Sequence, residues 1–465
     1  MLGEIIRKEI LENISSPKFV STFILCAVMI LLSVYVGIKN YKAELREYSI
    51  SASLNKKNLE SQPNYTALAG LGMKISKPPQ VLSVITTGIQ EAVGRQATVN
   101  IAYDPNLVES KYDGNPALAI FGELDLTMII KIVLSLFALL FTYNAIVGEK
   151  ERGTLKLTLS NYIPRDRLIL GKAIGSFISI LVPLLIPLVL SMILLAVYPG
   201  ISLSSEDWIR IGMIFSLFIL YLMVFCTLGL FISARSSSSS GSLFILLFIW
   251  VIFIFVIPKG AVMTAGWISP IPSVHEITAQ KDAFLQEIQG SAPQQAQKWM
   301  KENPPQTTPD WQNKFRKFLE DLQQETTAKI DAKNSALERD YQIKRHNQQS
   351  LAFILSRISP VSTLSFGAMS LGKTGPQEHE RFLNSIKTYK PLFTKWVNAK
   401  MMKTLNFGGG AQPKPDIGDM PRHSFKPESL NDSLMLALPD FVIMTLMVLV
   451  FFAGAFVSFL RYDVR

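Results

Sequence analysis

The chain has 465 residues, of which 49% are hydrophobic, and its 46 basic residues outnumber 36 acidic ones. A mean hydropathy of +0.27, with the apolar residues clustered in long runs, excludes an ordinary soluble protein. The net charge of +10 does not indicate nucleic-acid binding, because the basic residues form no stripe along one face. The two cysteines, Cys26 and Cys226, lie inside apolar runs, so no disulfide framework is predicted.

Six of the apolar runs are long enough to be transmembrane helices. A helix of about 20 residues crosses the roughly 30 Å of hydrocarbon, and it bonds its own backbone groups as lipid requires. The sequence therefore predicts an all-α polytopic membrane protein with six spans, at residues 18–38, 124–147, 168–197, 209–233, 243–262 and 434–460.

The first run also has the basic start of a signal peptide, at Arg7 and Lys8. The run is longer than the apolar core of a signal peptide, and no cleavage site with small residues follows it. We therefore expect a retained first helix.

The orientation follows from lysine and arginine in the short loops, since these residues remain on the cytoplasmic side. With the N-terminus inside, every short segment on that side carries lysine or arginine, whereas the outer loop at residues 198–208 carries neither. Both termini are predicted to be cytoplasmic, with residues 461–465 as a short tail. Residues 39–123 and 263–433 then form two extracytoplasmic insertions.

Residues 1–17 are predicted to form an amphipathic helix that ends at Pro17. Its apolar positions recur at helical spacing, and its charged residues fill the other face: Glu4, Arg7, Lys8, Glu9 and Glu12. Such a helix lies in the headgroup plane with its apolar side on membrane lipid.

The two insertions differ in their patterns. In the first, residues 42–59 continue a helical pattern, and residues 81–97 fit either a helix or a strand. In the second, residues 276–301 and 311–355 flank Pro304-Pro305 and predict a helical hairpin. Residues 407–427, with three consecutive glycines and four prolines, predict a loop or linker.

Residues 367–374 (Gly-Ala-Met-Ser-Leu-Gly-Lys-Thr) match the phosphate-loop pattern. A phosphate loop needs a preceding buried strand and a following helix N-terminus, and neither is predicted in this extracytoplasmic segment. No nucleophile motif occurs, and the four histidines are far apart in sequence. We therefore predict no catalytic residue, no metal site and no cofactor in this chain.

Charged residues are rare within the predicted spans. Asp125, Lys131, Lys259 and Asp440 lie near the ends of the runs, where charged side chains reach the interface. No proton or ion relay at the membrane midplane is indicated.

Residues 148–167 form a short charged segment between the second and third spans. Its sequence runs Gly148-Glu-Lys-Glu-Arg-Gly-Thr-Leu155, then Pro164-Arg165-Asp166-Arg167, with Gly171-Lys172 soon after. One interpretation is a plain turn whose basic residues set topology; the other is a surface that a cytosolic machine binds. The chain resembles ABC-2 type permease subunits of transporters in this pattern, in the six-span layout, in the N-terminal helix and in residues 121–125 (Phe-Gly-Glu-Leu-Asp). The long insertions are similar to a bacterial branch of that family.

In that family the segment docks on a cytosolic ATPase subunit. The resemblance implies that it forms or flanks a coupling helix through Glu149, Glu151, Gly153, Thr154, Leu155, Arg165 and Arg167. It also implies that ATP and magnesium bind the partner ATPase, that a second permease subunit completes a homo- or heterodimer, and that the chain is part of an exporter in a bacterial inner membrane.

Two other functions remain to be weighed. An ABC-associated complex would use the same parts to move the extracytoplasmic domains mechanically or to signal, without transporting a substrate. A membrane-anchored enzyme would need a catalytic constellation in the insertions, and none is predicted. Movement of a substrate in reconstituted vesicles separates the first two classes.

Overall fold

The computed structural model describes residues 2–90, 92–101, 107–108, 125–160, 164–304, 309–404 and 414–462. Several predictions fall wholly or partly outside these residues: positions 121–124, 161–163, 305, 407–413 and 463–465. The chain divides into two compact units, Met1–Phe255 with Ser359–Arg465, and Val256–Ile358, which are described separately.

Among the described residues, six helices are long and apolar enough to cross a membrane. They are Pro17–Glu60, Leu126–Glu151, Arg165–Val197, Ser205–Arg235, Ser239–Ile268 and Leu430–Leu460, called the first to sixth spans below. The prediction of an all-α polytopic membrane protein with six spans is confirmed. The other helices in the described part of the first unit are Leu2–Ile14, Tyr65–Leu71, Thr154–Ser160, Pro360–Gly372 and Pro376–Thr404, with a 3-10 turn at Val81–Val84.

The first span is one helix of 44 residues, about 66 Å long at 1.5 Å per residue. It begins where Ser16 accepts a hydrogen bond from the Phe19 N–H at 3.3 Å, and Pro17 supplies the fixed φ that suits a first helical position. The helix passes well beyond the apolar run and ends at Glu60, inside the first insertion.

Two spans contain π-helical turns, Ile130–Leu134 in the second and Ile252–Val256 in the fifth. Around them, the second span consists of Leu126–Ile129, Ser135–Thr142 and Val147–Glu151, and the fifth of Ser239–Val251 and Ile257–Ile268. A π turn adds one residue to a helical turn and shifts the faces that follow it.

The membrane core of the first unit surrounds the fourth span, whose Phe218, Tyr221 and Phe225 are fully buried. The helix Pro360–Gly372 lies in this same core and contributes Leu364, Ala368 and Leu371. The sequence had assigned this segment to the second extracytoplasmic insertion. We call it the buried helix.

The buried helix contains the residues that match the phosphate-loop pattern. Gly367 permits the close approach of the fourth span, because a Cβ there would lie 2.6 Å from Cδ2 of Leu217. The helix ends at the lysine of the pattern, Lys373, which caps it with φ +57°. The glycines and the lysine therefore sit within and at the carboxyl end of a helix, which presents carbonyl groups rather than the N–H groups that bind phosphate.

Two buried polar side chains lie against the buried helix. Arg210 of the fourth span is fully buried and donates hydrogen bonds to the carbonyl oxygens of Leu371 and Glu428, at 3.1 and 3.0 Å. Asp440 of the sixth span is also fully buried, beside Gly367. The expectation that Asp440 reaches the interface is wrong, because the buried helix covers it.

A second, smaller core joins the two insertions. Three antiparallel strands pair in the order β1 (Met73–Ser76), β2 (Gln96–Val99), β3 (Leu107–Val108). Residues of this sheet and of the helix Tyr65–Leu71 pack against the helix Pro376–Thr404, which supplies Phe382, Ile386, Tyr389, Phe393 and Val397. The first insertion therefore contains strands, and it shares its core with a helix of the second.

In the second unit, the described secondary-structure elements are helices joined by short turns. Val274–Glu302 begins with a capping box between Ser273 and Glu276, and Pro309–Ser356 follows it. The two helices are antiparallel, since Lys281 pairs with Glu338 at 3.6 Å, whereas Trp299 stacks near Trp311, Phe315 and Phe318 at the other end.

Candidate functional site

The charged segment between the second and third spans lies at one end of the first unit. Its residues contact the N-terminal helix Leu2–Ile14, the start of the fifth span at Ser239, and the end of the sixth span at Leu460. We call this the basic end of the bundle.

The N-terminal helix packs into a groove on the third span. The groove is formed by Gly171 and Gly175, one helical turn apart, where Cβ atoms would lie 2.6 Å from Ile5 Cγ2 and from Glu9 Cβ. Small residues at this spacing allow two helix backbones to approach closely. The helix is therefore fixed against the third span by its apolar face and by Glu9.

A buried cluster of three charges lies beside this groove. Lys172 Nζ is 3.0 Å from Oε1 of Glu149 and 3.3 Å from Oε2 of Glu9, and Ser176 Oγ donates to Glu9 Oε1 at 3.4 Å. The side chains are 4% exposed for Lys172 and 10% for each glutamate. Burial raises the pKa of Glu9, although the Lys172 ammonium opposes this shift.

Glu151 connects the same segment to the fifth span. Its carboxylate accepts hydrogen bonds from Ser239, from the backbone N–H at 2.9 Å and from the hydroxyl. Ser239 is the first residue of that helix, where N–H groups have no intrahelical partner and a negative charge is favourable.

A short helix, Thr154–Ser160, follows the turn at Gly153. Gly153 has φ +71°, the left-handed conformation that commonly ends a helix. Thr154 Oγ1 donates to the carbonyl oxygen of Glu149 at 3.4 Å. Leu155 is 1% exposed and Leu157 is 68% exposed, so this helix has an inner and an outer face. We call it the loop helix.

Arg165 connects the start of the third span to the end of the sixth. Its guanidinium donates to the carbonyl oxygens of Leu460 at 2.7 Å and Tyr462 at 2.9 Å, where a cation satisfies the last carbonyls of a helix. Arg167 is exposed and forms no hydrogen bond or ion pair within the part of the chain that the structure describes.

The structure thus separates the predicted coupling residues by their exposure. Glu149 and Leu155 are directed inward, so a partner docked on the surface would not touch them. Glu151, Gly153, Thr154 and Arg167 are exposed, and Arg165 is half-buried.

Lys172 was not among the predicted site residues, and the prediction that Glu9 lies on the solvated face of the N-terminal helix is wrong. The sequence signal that could have identified Lys172 is its position between Gly171 and Gly175, near the start of the apolar run at residues 168–197.

Within the described ranges, no cluster of three or more His, Cys, Asp or Glu side chains could hold a metal ion. The prediction that this chain has no metal site remains a prediction.

Comparison with known proteins agrees with the pattern of spans and loop. The family model described as ABC-2 family transporter protein matches residues 4–464. A probable ABC transporter permease protein, NosY of Pseudomonas aeruginosa, is 31% identical over 150 residues, which cover 31% of this chain and 54% of that relative. The aligned part thus spans about half the relative's length, whereas the family model covers nearly the whole chain. The chain therefore belongs to the ABC-2 family of transporter proteins.

Proposed function

We propose that the chain is the membrane-spanning subunit of an ATP-driven exporter in a bacterial inner membrane. In this proposal the basic end and both termini face the cytosol, where the loop helix docks on a separate ABC ATPase subunit. A second permease subunit, identical or related, completes the complex. Family membership, the six spans and the basic residues at one end support this assignment.

One observation carries the proposal, namely the division of the charged segment into a fixed inner face and a free outer face. Leu155 is buried among residues of the second, third, fourth and sixth spans, including Ile146, Ile169, Leu230 and Phe459. On the other side, Arg152, Lys156 and Leu157 are exposed. A partner that grips the outer face would displace a helix already attached to the bundle.

The attachments explain how such a displacement would spread. Lys172 binds Glu149 to the third span and the N-terminal helix, Glu151 binds Ser239 of the fifth span, and Arg165 binds the end of the sixth span. Packed helices with fixed contacts move as rigid bodies rather than deforming continuously. A force on the loop helix would therefore reach the second span, which precedes it in the chain, and through these contacts the third, fifth and sixth spans.

ATP and magnesium are proposed to bind only the partner. The phosphate-loop match in this chain is a buried helix rather than a loop before a helix N-terminus. The chain itself is accordingly proposed to have no catalytic residue, with hydrolysis left to the ATPase subunit.

The test is to disrupt the outer face alone. Leu157→Asp should abolish co-purification with the ATPase and stimulated hydrolysis in reconstituted vesicles. The substitution places a charge where an apolar side chain, 68% exposed, is proposed to contact the partner. Leu319→Asp, at a position 42% exposed in the second unit, is the matched control and should leave both unchanged. Full assembly and stimulation by Leu157→Asp would contradict the proposed docking face.

Mechanical transmission without transport is the second candidate, and one observation favours it. The first span is an uninterrupted helix to Glu60, and Leu59 near its end is buried in the small core of the insertions. A rod of this kind would carry movement from the membrane to the insertions. ATP-dependent accumulation of a substrate in vesicles supports the exporter; its absence, with ATP-dependent distance changes in the insertions, supports the alternative.

A further inference from the structure

A polar cleft of about 610 Å³ opens at the basic end, beside the charged segment. Three parts of the chain line it: the end of the second span at Lys150 and Glu151, the end of the fourth at Arg235, and the end of the sixth at Arg461 and Tyr462. Nothing in the proposed docking of the ATPase on the loop helix uses this cleft.

The charged side chains in the cleft differ in how far other groups of the chain already bind them. Lys150 donates a hydrogen bond to the carbonyl oxygen of Ala234 and lies 4.4 Å from the centre of the Tyr462 ring. The Glu151 carboxylate already accepts a hydrogen bond from the Ser239 backbone N–H. Arg235 and Arg461 are exposed, and within the described residues neither forms an ion pair with a carboxylate. Among the residues that the structure describes, the cleft therefore offers two exposed guanidinium groups to an anion.

The position of the cleft identifies the source of that anion. Glu151, Arg235 and Leu460 are the last residues of three membrane-spanning helices, so the cleft lies at the level of lipid headgroups. Below it, the sixth span carries an exposed apolar stripe, with Leu449 58%, Val450 65% and Val457 45% exposed. Val457 also lines the cleft. Cationic groups above an apolar surface match the two parts of a phospholipid.

We propose that this cleft binds an anionic phospholipid of the surrounding membrane. Arg235 and Arg461 bind the phosphate, because a guanidinium presents paired donors that fit phosphate oxygens. The hydroxyl group of Ser458, which also lines the cleft, is placed to donate to the headgroup. The acyl chains lie along the stripe of the sixth span. Basic pockets between membrane helices bind anionic headgroups in this way.

Lipid binding here has a consequence for the neighbouring segment. Lys150 and Glu151 belong to both the cleft and the helix Val147–Glu151 that leads into the loop helix. A bound lipid would hold the ends of the second, fourth and sixth spans together at this level. Anionic lipid is thereby expected to stabilise the full chain against thermal unfolding.

The experiment is native mass spectrometry of the purified full chain in detergent, titrated with phosphatidylglycerol or phosphatidylcholine. The wild type should retain phosphatidylglycerol in preference to phosphatidylcholine. Arg235→Gln/Arg461→Gln should weaken phosphatidylglycerol binding by about 25-fold, because each basic residue near an anionic lipid contributes roughly fivefold. The matched control, Arg7→Gln/Lys156→Gln, removes two exposed cations at the same end and should bind as the wild type does.

Two further binding measurements test the same proposal. Arg235→Lys/Arg461→Lys retains the charges and should keep the preference for phosphatidylglycerol, which guards against a folding defect in the glutamine variant. An excess of inorganic phosphate should not displace the lipid, because phosphate has no contact with the apolar stripe. Displacement by phosphate, equal binding of the two lipids, or unchanged binding by the glutamine variant would each overturn the proposal.

Discussion

Lys172 Nζ lies 3.0 Å from Oε1 of Glu149, and this buried ion pair attaches the charged segment to the third span. The same ammonium group is 3.3 Å from Oε2 of Glu9, so it also attaches the N-terminal helix. One cation thus joins three elements and neutralises part of two buried carboxylates. Its removal and the removal of either carboxylate are therefore expected to have different effects.

Lys172→Met should lower the free energy of unfolding by about 3–5 kcal/mol, because it leaves buried carboxylates without their counter-ion. Equilibrium unfolding in mixed micelles measures the change. Lys156→Met, at an exposed lysine of the loop helix, is the control and should change the free energy by less than about 0.5 kcal/mol. Equal effects of the two substitutions would show that the cluster does not stabilise the fold.

The stability of the folded protein should depend on pH through the titration of Glu9. Its pKa is raised by burial from the usual 4.5, so the folded protein binds this proton more tightly than the unfolded chain does. The resulting stabilisation is complete below the unfolded pKa and is lost as pH rises through the folded pKa.

Glu9→Gln removes that titration while keeping a side chain that accepts from Ser176. The wild type should therefore lose stability relative to Glu9→Gln as pH increases above about 4.5. Thermal unfolding midpoints of the two proteins across this range give the difference. A difference that does not vary with pH, or that has the opposite slope, would refute the role of Glu9.

Gly175→Ala should displace the N-terminal helix, because the added Cβ would meet Glu9 Cβ at 2.6 Å. Overpacking of this kind costs about 1–3 kcal/mol. Limited proteolysis of residues 2–14 and the unfolding midpoint report the displacement. Gly212→Ala in the fourth span, where a Cβ would meet nothing within 4 Å, is expected to be neutral or slightly stabilising. Protection of the N-terminal helix in Gly175→Ala would contradict the groove.

Glu151→Lys should reduce ATPase stimulation by the complex, since a lysine cannot accept the two hydrogen bonds from Ser239. Glu151→Gln keeps an acceptor and should retain most of the stimulation. The same charge reversal at Glu206, which lies in the first turn of the fourth span at the other end of the bundle, is the control. Stimulated hydrolysis and co-purification of the ATPase are measured together. Wild-type behaviour of Glu151→Lys in both assays would leave the coupling role unsupported.

The sequence by itself determined the six membrane spans and the family. A run of about 20 apolar residues must form a helix in lipid, because no other local structure bonds its backbone groups there. The charged segment after the second span was recognisable because its residues are contiguous in the chain. Both features depend on short-range pattern, and short-range pattern is what a single sequence displays.

Only the tertiary structure decided which charged residues of the site are turned inward. Glu9, Glu149 and Lys172 are separated by 140 and 23 positions, and their pairing depends on the close approach that Gly171 and Gly175 permit. The buried helix Pro360–Gly372 was likewise not predicted, since 13 residues are too few for a span. The side of a helix on which a charge becomes buried depends on the neighbour that packs there, and that neighbour is distant in sequence.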